Sequence, residues 1–275
     1  ARTLLAKIYA EKPLRDYTKV IQYCDEVKAD GFDLVDDFSD LFGMNAAGTD
    51  AKMRNTKESI LEAQFTSGAG NWCTWMFGRD LVNWNNNFTW AKWVTPSRDL
   101  ISAFKQEGDE VRFKESIVYY DCNWSNYYPS DNYPFMYKCR SANSSIIKYR
   151  YADVLLLKAE ALIMQDTPDL EGAADIIDEV RDRAKLGALP TSVRSNKNVL
   201  LNALLKERRL ELAFEGQRWF DLVRLDKVEE VMNAVYSKDS GRKAQIYTFD
   251  KNSYRLPIPQ SVIDANDKIH QNPGY

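Results

Sequence analysis

The feature that most constrains the fold is a pattern of two amphipathic helix pairs, which recurs at an offset of 153 residues. In residues 15–29, apolar side chains follow the i, i+3, i+4, i+7 spacing of a helix that buries one face. A shift by 153 residues places Ala6 on Ala159 and Val20 on Ala173 without a gap. A chain that repeats a helix pair buries each apolar face on its neighbour. The alternative is a chance match of two amphipathic pairs.

This pattern predicts a mainly α fold of tetratricopeptide-like helix pairs in a right-handed superhelix, with a long aromatic, loop-rich insertion and a few short strands. The predicted helices are 1–10, 15–29 with Gly31 at its end, 96–106, 150–165, 169–187 with Asp169 as its cap, 198–215 and 216–236. The predicted strands are 58–65 and 110–120. The segments 32–42, 66–95 and 123–143 are predicted to be irregular, and the tail from Tyr247 to be extended.

Composition excludes several classes of function. The 275 residues carry a net charge of −3, whereas a protein that binds nucleic acid needs a basic face. No apolar run reaches the ~18 residues of a membrane helix. The single histidine, His270, excludes a histidine-cluster metal site. Calcium held by loop carboxylates is conceivable, but the sequence contains no Asp-rich loop of EF-hand spacing to support it. No cofactor is therefore predicted.

The four cysteines form no C-x-x-C pair, which disfavours zinc and thioredoxin-like chemistry. Cys24 lies on the apolar stripe of residues 15–29 and is predicted to be a small core residue. Cys122 and Cys139 flank an aromatic loop, so a disulfide between them is one alternative in an oxidising compartment and free thiols are the other.

Three segments of the C-terminal half form a distinctive set of motifs. They are KYRYADVLLLKAEA at 148–161, ERRLELAFEGQRWFDLVR at 207–224, and a tail with LPIPQ at 256–260 and QNPGY at 271–275. Together with VRDRA at 180–184, the set resembles the SusD/RagB family of surface lipoproteins that capture nutrients, mostly glycans. The resemblance is strong from 145 to 275 and weaker from 1 to 45. Residues 66–140 resemble the family only as a long aromatic insertion.

The resemblance implies a non-catalytic protein on the cell surface of the outer membrane, which delivers a glycan to a SusC-like TonB-dependent transporter. It also implies a lipid anchor in an N-terminal part that this sequence lacks, since the chain opens within a helical pattern and without an initiator Met. We therefore expect one SusD-like domain over 1–275 without that N-terminal part. Its segments would be a helix pair (1–45), a loop-rich insertion (46–145) and a helical portion with the tail (146–275).

The charged residues of the second motif are predicted to be structural. Glu207, Arg208, Arg209, Glu211 and Glu215 recur at helical i, i+3 and i+4 spacings, so they can interlock as ion pairs. We expect them to form a solvated or helix-locking face rather than a catalytic site.

The functional signal lies in the aromatic insertion. Seventeen of the 34 aromatic residues fall between Trp72 and Tyr137, while residues 66–95 contain only three charged side chains. Aromatic faces match the C–H faces of sugar rings, and amide, guanidinium and carboxylate groups match the hydroxyls. The predicted ligand-binding residues are Trp72, Trp75, Arg79, Asp80, Asn83, Trp84, Asn85, Asn86, Trp90, Trp93, Trp124 and Tyr127. Of these, Trp124 and Tyr127 are second choices, as is Tyr128. Alternatively, some of the tryptophans anchor long loops to the helices.

Two other functions remain open from the sequence. A helical-repeat module that binds peptide or protein would bury its tryptophans under loops. A glycosidase would need two carboxylates about 5–10 Å apart, but only Asp80 lies in residues 66–95. A non-catalytic glycan-binding protein is therefore the leading hypothesis.

Overall fold

The computed structural model describes residues 1–66, 69–73, 95–123, 125–238 and 248–275. These residues form two compact units, one from Ala1 to Arg218 and one from Trp219 to Tyr275. Within the described ranges, no helix combines the length and the apolar character needed to cross a bilayer.

Most of the regular structure is helical, which confirms the predicted fold class. The helices are α1 (Arg2–Ala10), α2 (Tyr17–Ala29), α3 (Ser39–Phe42), α4 (Arg98–Glu107), α5 (Glu110–Ser116), α6 (Tyr151–Met164), α7 (Leu170–Arg183), α8 (Thr191–Arg194), α9 (Lys197–Glu211), α10 (Arg218–Arg224), α11 (Val228–Lys238) and α12 (Gln260–Ala265). The strands are β1 (Ser59–Ala63), β2 (Ile117–Tyr120), β3 (Tyr133–Met136) and β4 (Ile146–Arg150). Short 3-10 turns lie at Lys12–Leu14 and Lys251–Tyr254.

The two helix pairs related by the 153-residue offset share one hydrophobic core. Helix α1 packs against α2, α6 packs against α7, and α2 also packs against α6. The equivalent residues Ala6 and Ala159 are both fully buried, as are Val20 and Ala173. Small and apolar residues thus occupy matching places, and each pair buries its apolar face on the other.

The same offset relates the N-caps of the second helix in each pair. Asp16 accepts a hydrogen bond from the backbone N–H of Lys19 at 3.1 Å, and Asp169 accepts one from Gly172 at 2.9 Å. A cap of this kind contributes ~1 kcal/mol. Gly31, two residues after the last residue of α2, has a φ of 92°, a left-handed conformation that favours glycine. Local sequence signals therefore determine where these helices start and stop.

The strands form two antiparallel pairs. The strand predicted at 58–65 is confirmed as β1, which pairs with β4 so that Ser59 lies opposite Arg150. Strand β2 pairs with β3, and Tyr120 lies opposite Tyr133 at the end of that pair. The chain between β2 and β3 forms the loop considered below.

The prediction of one strand over 110–120 is wrong for its first part, which forms α5. Asp109 caps this helix by accepting a hydrogen bond from the backbone N–H of Arg112 at 3.1 Å. The Arg112 side chain is fully buried and pairs with Glu207 and Glu211 of α9. A local pattern of apolar residues does not reveal such a long-range contact.

Other predicted boundaries also differ from the structure. The segment 123–143 contains strand β3, because β2 supplies a pairing partner. The helix expected from residue 96 begins at Arg98, since the Ser97 hydroxyl caps it by accepting from the Leu100 N–H at 3.1 Å. The irregular segment 32–42 ends in the short helix α3.

The second compact unit departs from the predicted single helix and extended tail. Helices α10 and α11 are separate, with Asp226 between them at a φ of 55°. The tail is not extended throughout, because it contains α12. The Gln271 side chain organises the tail by accepting from the N–H of Ile258 at 2.8 Å and donating to its carbonyl at 2.9 Å.

All four cysteines are free thiols. Cys24 is 2% exposed, which confirms it as a core residue, and burial raises its pKa to about 12. Cys122 and Cys139 are not joined. Cys122 packs in a cluster with Tyr133, whereas Cys139 lies near Cys73.

The charged segment 207–215 is mostly buried, which corrects the expectation of a solvated face. The ion-pair partners of its glutamates lie far away in the sequence rather than one turn along the same helix. We call the following residues the buried ion cluster: Glu58, Asp109, Arg112, Lys138, Arg150, Arg183, Glu207, Glu211 and Glu215.

Glu211 lies at the centre of the buried ion cluster. Its carboxylate accepts hydrogen bonds from Arg150, from Arg183 and, at 3.1 Å, from Arg112. Glu58, directly before β1, accepts from Arg150 at 2.7 Å and from Arg183 at 2.6 Å. The cluster therefore ties α5, α7, α9 and the β1–β4 pair together.

The charges of this cluster change the acidity of its members. Burial alone would raise the pKa of Glu211, but the neighbouring guanidinium groups, led by Arg183, hold it well below its usual range. Burial likewise opposes the ionisation of Glu215, yet Arg150 and Lys138 lower its pKa. The folded state therefore favours the ionised form of both carboxyl groups.

We expect the free energy of unfolding to fall as the pH is lowered below 4.5, the ordinary pKa of glutamate. There the unfolded chain takes up protons while folded Glu211 and Glu215 stay ionised, which costs up to ~1.4 kcal/mol per pH unit for each group. Burial raises the pKa of Asp109 and of Glu207, and this reduces the net slope. Urea unfolding at about pH 6, 4.5 and 3.5 measures the effect. Constant or rising stability below pH 4.5 would contradict it.

Candidate functional site

The loop between β2 and β3 encloses an open cleft of about 810 Å³. The backbone N–H of Cys122 donates to the carbonyl of Ser130 at 2.6 Å, which closes the base of the loop. The described residues that line the cleft are Cys122, Asn123, Ser125, Asn126, Tyr127, Tyr128, Pro129 and Ser130. Their side chains offer aromatic faces, amides and hydroxyls.

Tyr127, Tyr128 and Arg98 form an aromatic and cationic group beside the cleft. The two tyrosine rings meet edge to face, with centroids 4.9 Å apart and planes at 88°. The guanidinium carbon of Arg98 lies 4.1 Å from the centroid of Tyr127 and 4.5 Å from that of Tyr128. Cation–π contacts at these distances hold the rings in a fixed orientation.

The N-terminus of α4 positions this group. Arg98 is the first residue of α4, and its Nη2 also donates to the backbone carbonyl of Tyr127. The hydroxyl of Tyr128 donates to the carbonyl of Pro96 at 2.7 Å. The loop is therefore held by a rigid helix end rather than by its own turns alone.

A buried tyrosine forms the floor under the loop. Tyr133 on β3 is 2% exposed, and its ring meets Tyr128 edge to face at 5.6 Å. Its hydroxyl lies within hydrogen-bond distance of Ser125 Oγ, at 3.1 Å, and of Thr95 Oγ1, at 3.2 Å. Tyr127 above it is half-buried, so part of its ring can meet a ligand.

This arrangement fits a neutral, hydroxyl-rich ligand. The described lining residues include no carboxylate that could act as an acid or a base. Within the described part of the chain, no group of three or more His, Cys, Asp or Glu residues could hold a metal ion. The cleft can supply a ring face together with in-plane hydrogen bonds from Asn123, Ser125 and Asn126.

The structure describes two of the twelve predicted ligand-binding residues. Tyr127, one of the second choices, lines the cleft beside Tyr128, another second choice. Trp72 is 64% exposed and is not among the described lining residues of the cleft. The other ten lie outside the described residues: Trp75, Arg79, Asp80, Asn83, Trp84, Asn85, Asn86, Trp90, Trp93 and Trp124.

Sequence reasoning missed the residues that orient the cleft. Arg98 and Tyr133 were not predicted, although both contact the tyrosine rings. The predicted helix start near Pro96 did place Arg98 in a first helical turn. Nothing in the sequence revealed that this turn packs against a loop some thirty residues further along.

The sequence pattern that defines the SusD family matches residues 131–275. The SusD-like protein P38 of Formosa agariphila is 43% identical over 99 residues, which are 34% of this chain and 19% of that relative. A SusD superfamily protein from Parabacteroides distasonis has a TM-score of 0.73 at 23% identity, covering 100% of this chain and 62% of the other. Surface glycan-binding protein A from Bacteroides thetaiotaomicron, in complex with laminarihexaose, has a TM-score of 0.73 at 20% identity, covering 98% and 62%.

The two solved structures show the fold of this chain. The two solved structures share less than a quarter of their residues with this chain, so they establish the fold, including its tetratricopeptide-like helix pairs. This chain spans only part of the length of its relatives, since it covers 62% of each of the two solved structures.

Proposed function

Because this chain belongs to the SusD family by the match over residues 131–275, we propose that it binds a glycan without cleaving it and delivers it to a SusC-like TonB-dependent transporter. The observation that carries the glycan proposal is the cleft at Tyr127, with its oriented rings and surrounding amides. The structural relative in complex with laminarihexaose supports a glucan as the class of ligand.

The size of the expected contact fits capture and release. Stacking one aromatic face on a sugar removes on the order of 100 Å² from water, which contributes ~2.5 kcal/mol before ordering costs. Two such faces and a few hydrogen bonds give a weak-to-moderate binder. Such a binder can retain a glycan and still release it to a partner.

The rest of the site is proposed from the aromatic insertion. Exposed Trp72 can offer a second flat face, and the ten predicted residues outside the described ranges would extend the surface. We also propose, on the strength of the family match, attachment to the outer membrane through a lipid anchor and display at the cell surface. We propose this role without a cofactor.

Titration calorimetry of the full-length protein against neutral polysaccharides, with laminarin included, tests the proposal. We expect saturable binding of at least one glycan and no new reducing ends in the recovered ligand. Absence of binding to the whole panel would overturn the glycan proposal. Release of reducing sugar would instead show a glycosidase.

A further inference from the structure

Two short segments bring a pair of cysteines together. The segment 69–73 runs beside 139–144, where the backbone N–H of Asn71 donates to the carbonyl of Ala142 at 2.7 Å. The Asn71 side chain also donates to the carbonyl of Ser144 at 2.8 Å. The segments are so close that a Cβ on Gly70 would lie 3.0 Å from that of Ala142.

At the end of this contact Cys73 and Cys139 come close enough for each thiol to change the pKa of the other. Both side chains are partly buried. Interaction with the Cys139 thiol, together with the positive charge of Lys148, lowers the pKa of Cys73 to about 6. The same interaction and burial raise the pKa of Cys139 well above its usual range. Cys73 is therefore the better nucleophile of the pair at neutral pH.

We propose that Cys73 and Cys139 are a site of disulfide formation through exchange with a small-molecule disulfide such as oxidised glutathione. The Cys73 thiolate attacks one sulfur of the donor, whose S–S bond breaks and releases one glutathione thiolate. Cys139 then loses its proton and attacks the Cys73 sulfur, which releases the second glutathione. The protein is oxidised by two electrons, and the donor is reduced to two thiols.

The other cysteines are poor competitors for this reaction. Cys24 and Cys122 are 2% and 3% exposed, so a disulfide donor cannot reach either sulfur in the folded protein. Burial also raises the pKa of Cys24 to about 12. The structure thus selects one pair out of the six that four cysteines allow.

The bond would enclose most of the predicted binding surface. The chain between Cys73 and Cys139 contains all the predicted ligand-binding residues except Trp72. A link across this loop removes conformational freedom from the unfolded chain. The proposal concerns the thiols alone and holds whether or not the ligand is a glycan.

Treatment of the full-length protein with oxidised glutathione, followed by non-reducing peptide mapping, tests the proposal. We expect one cross-linked peptide pair joining Cys73 to Cys139, a mass lower by two hydrogens, and a Tm higher by about 5–10 °C. Recovery of both residues as alkylated free thiols would overturn it, and so would a link between Cys139 and Cys122.

Two variants make the test specific. In Cys139→Ser the first step can proceed but the second cannot, so we expect a glutathione adduct at Cys73. In Cys122→Ser the link between Cys73 and Cys139 should form as in the wild type. A Cys139→Ser protein that is folded by circular dichroism yet carries no adduct at Cys73 would contradict the proposed nucleophile.

Discussion

Replacement of Glu211 by glutamine is expected to lower the free energy of unfolding by ~3–5 kcal/mol. The glutamine side chain keeps the shape of the glutamate but removes the charge that faces Arg112, Arg150 and Arg183. All three guanidinium groups are buried, so water cannot replace the lost carboxylate. The loss is a large fraction of the stability of an ordinary domain. Urea unfolding followed by circular dichroism at neutral pH measures it.

The matched control is Glu171→Gln. Glu171 also pairs with an arginine, Arg194, but its side chain is 72% exposed, so this change should cost ~0.5 kcal/mol or less. The difference in the free energy of unfolding between wild type and Glu211→Gln should also shrink as the pH falls below 4.5. Protonation of this glutamate in the unfolded wild-type chain then reduces the stability that the ionised side chain gives to the folded state. Equal effects of the two substitutions would show that the buried ion cluster does not stabilise the fold.

Replacement of Tyr127 by alanine is expected to weaken binding of the proposed glycan by about tenfold, which corresponds to ~1.4 kcal/mol. The change removes the half-buried ring that lines the cleft and meets Arg98. It leaves Tyr133, the buried floor of the loop, in place. Calorimetry with the glycan identified for the wild type gives the ratio of Kd values.

Two further variants separate a lost contact from a disturbed fold. Tyr127→Phe keeps the ring and should bind within about twofold of the wild type if stacking dominates. Tyr9→Ala removes a ring of similar exposure that stacks on Tyr23 away from the cleft, and it should not change the Kd. Unchanged binding by Tyr127→Ala, with the wild type binding normally, would remove this tyrosine from the proposed site.

The candidate site was predictable only in part. The excess of aromatic residues pointed to the insertion, and Tyr127 was named from it before its surroundings were known. The roles of Arg98 and Tyr133 came from packing, since neither is distinguished by a local pattern. The aromatic count could indicate a kind of surface but not which side chains share it.

The charged motif shows the same limit more sharply. Helical spacing correctly placed Glu207 and Glu211 on one helix, but it predicted partners within that helix. Their partners are instead Arg112 and Arg150, at the end of β4, which only the folded chain brings to α9. Charge spacing alone cannot distinguish a solvated face from a buried one, because both use the same residue types.

What the sequence by itself determined is the repeated helix pair, the cap at Asp169 and, through its motifs, the membership of the SusD family. The helix pair and the cap depend on apolar periodicity and on a hydrogen bond between residues three apart, which act within a short stretch of chain. Only the tertiary structure decided that Glu211 is buried among arginines and that the loop at Tyr127 encloses a cleft. Both depend on contacts between segments distant in sequence, and the energy of a charge or a ring is set by what surrounds it in space.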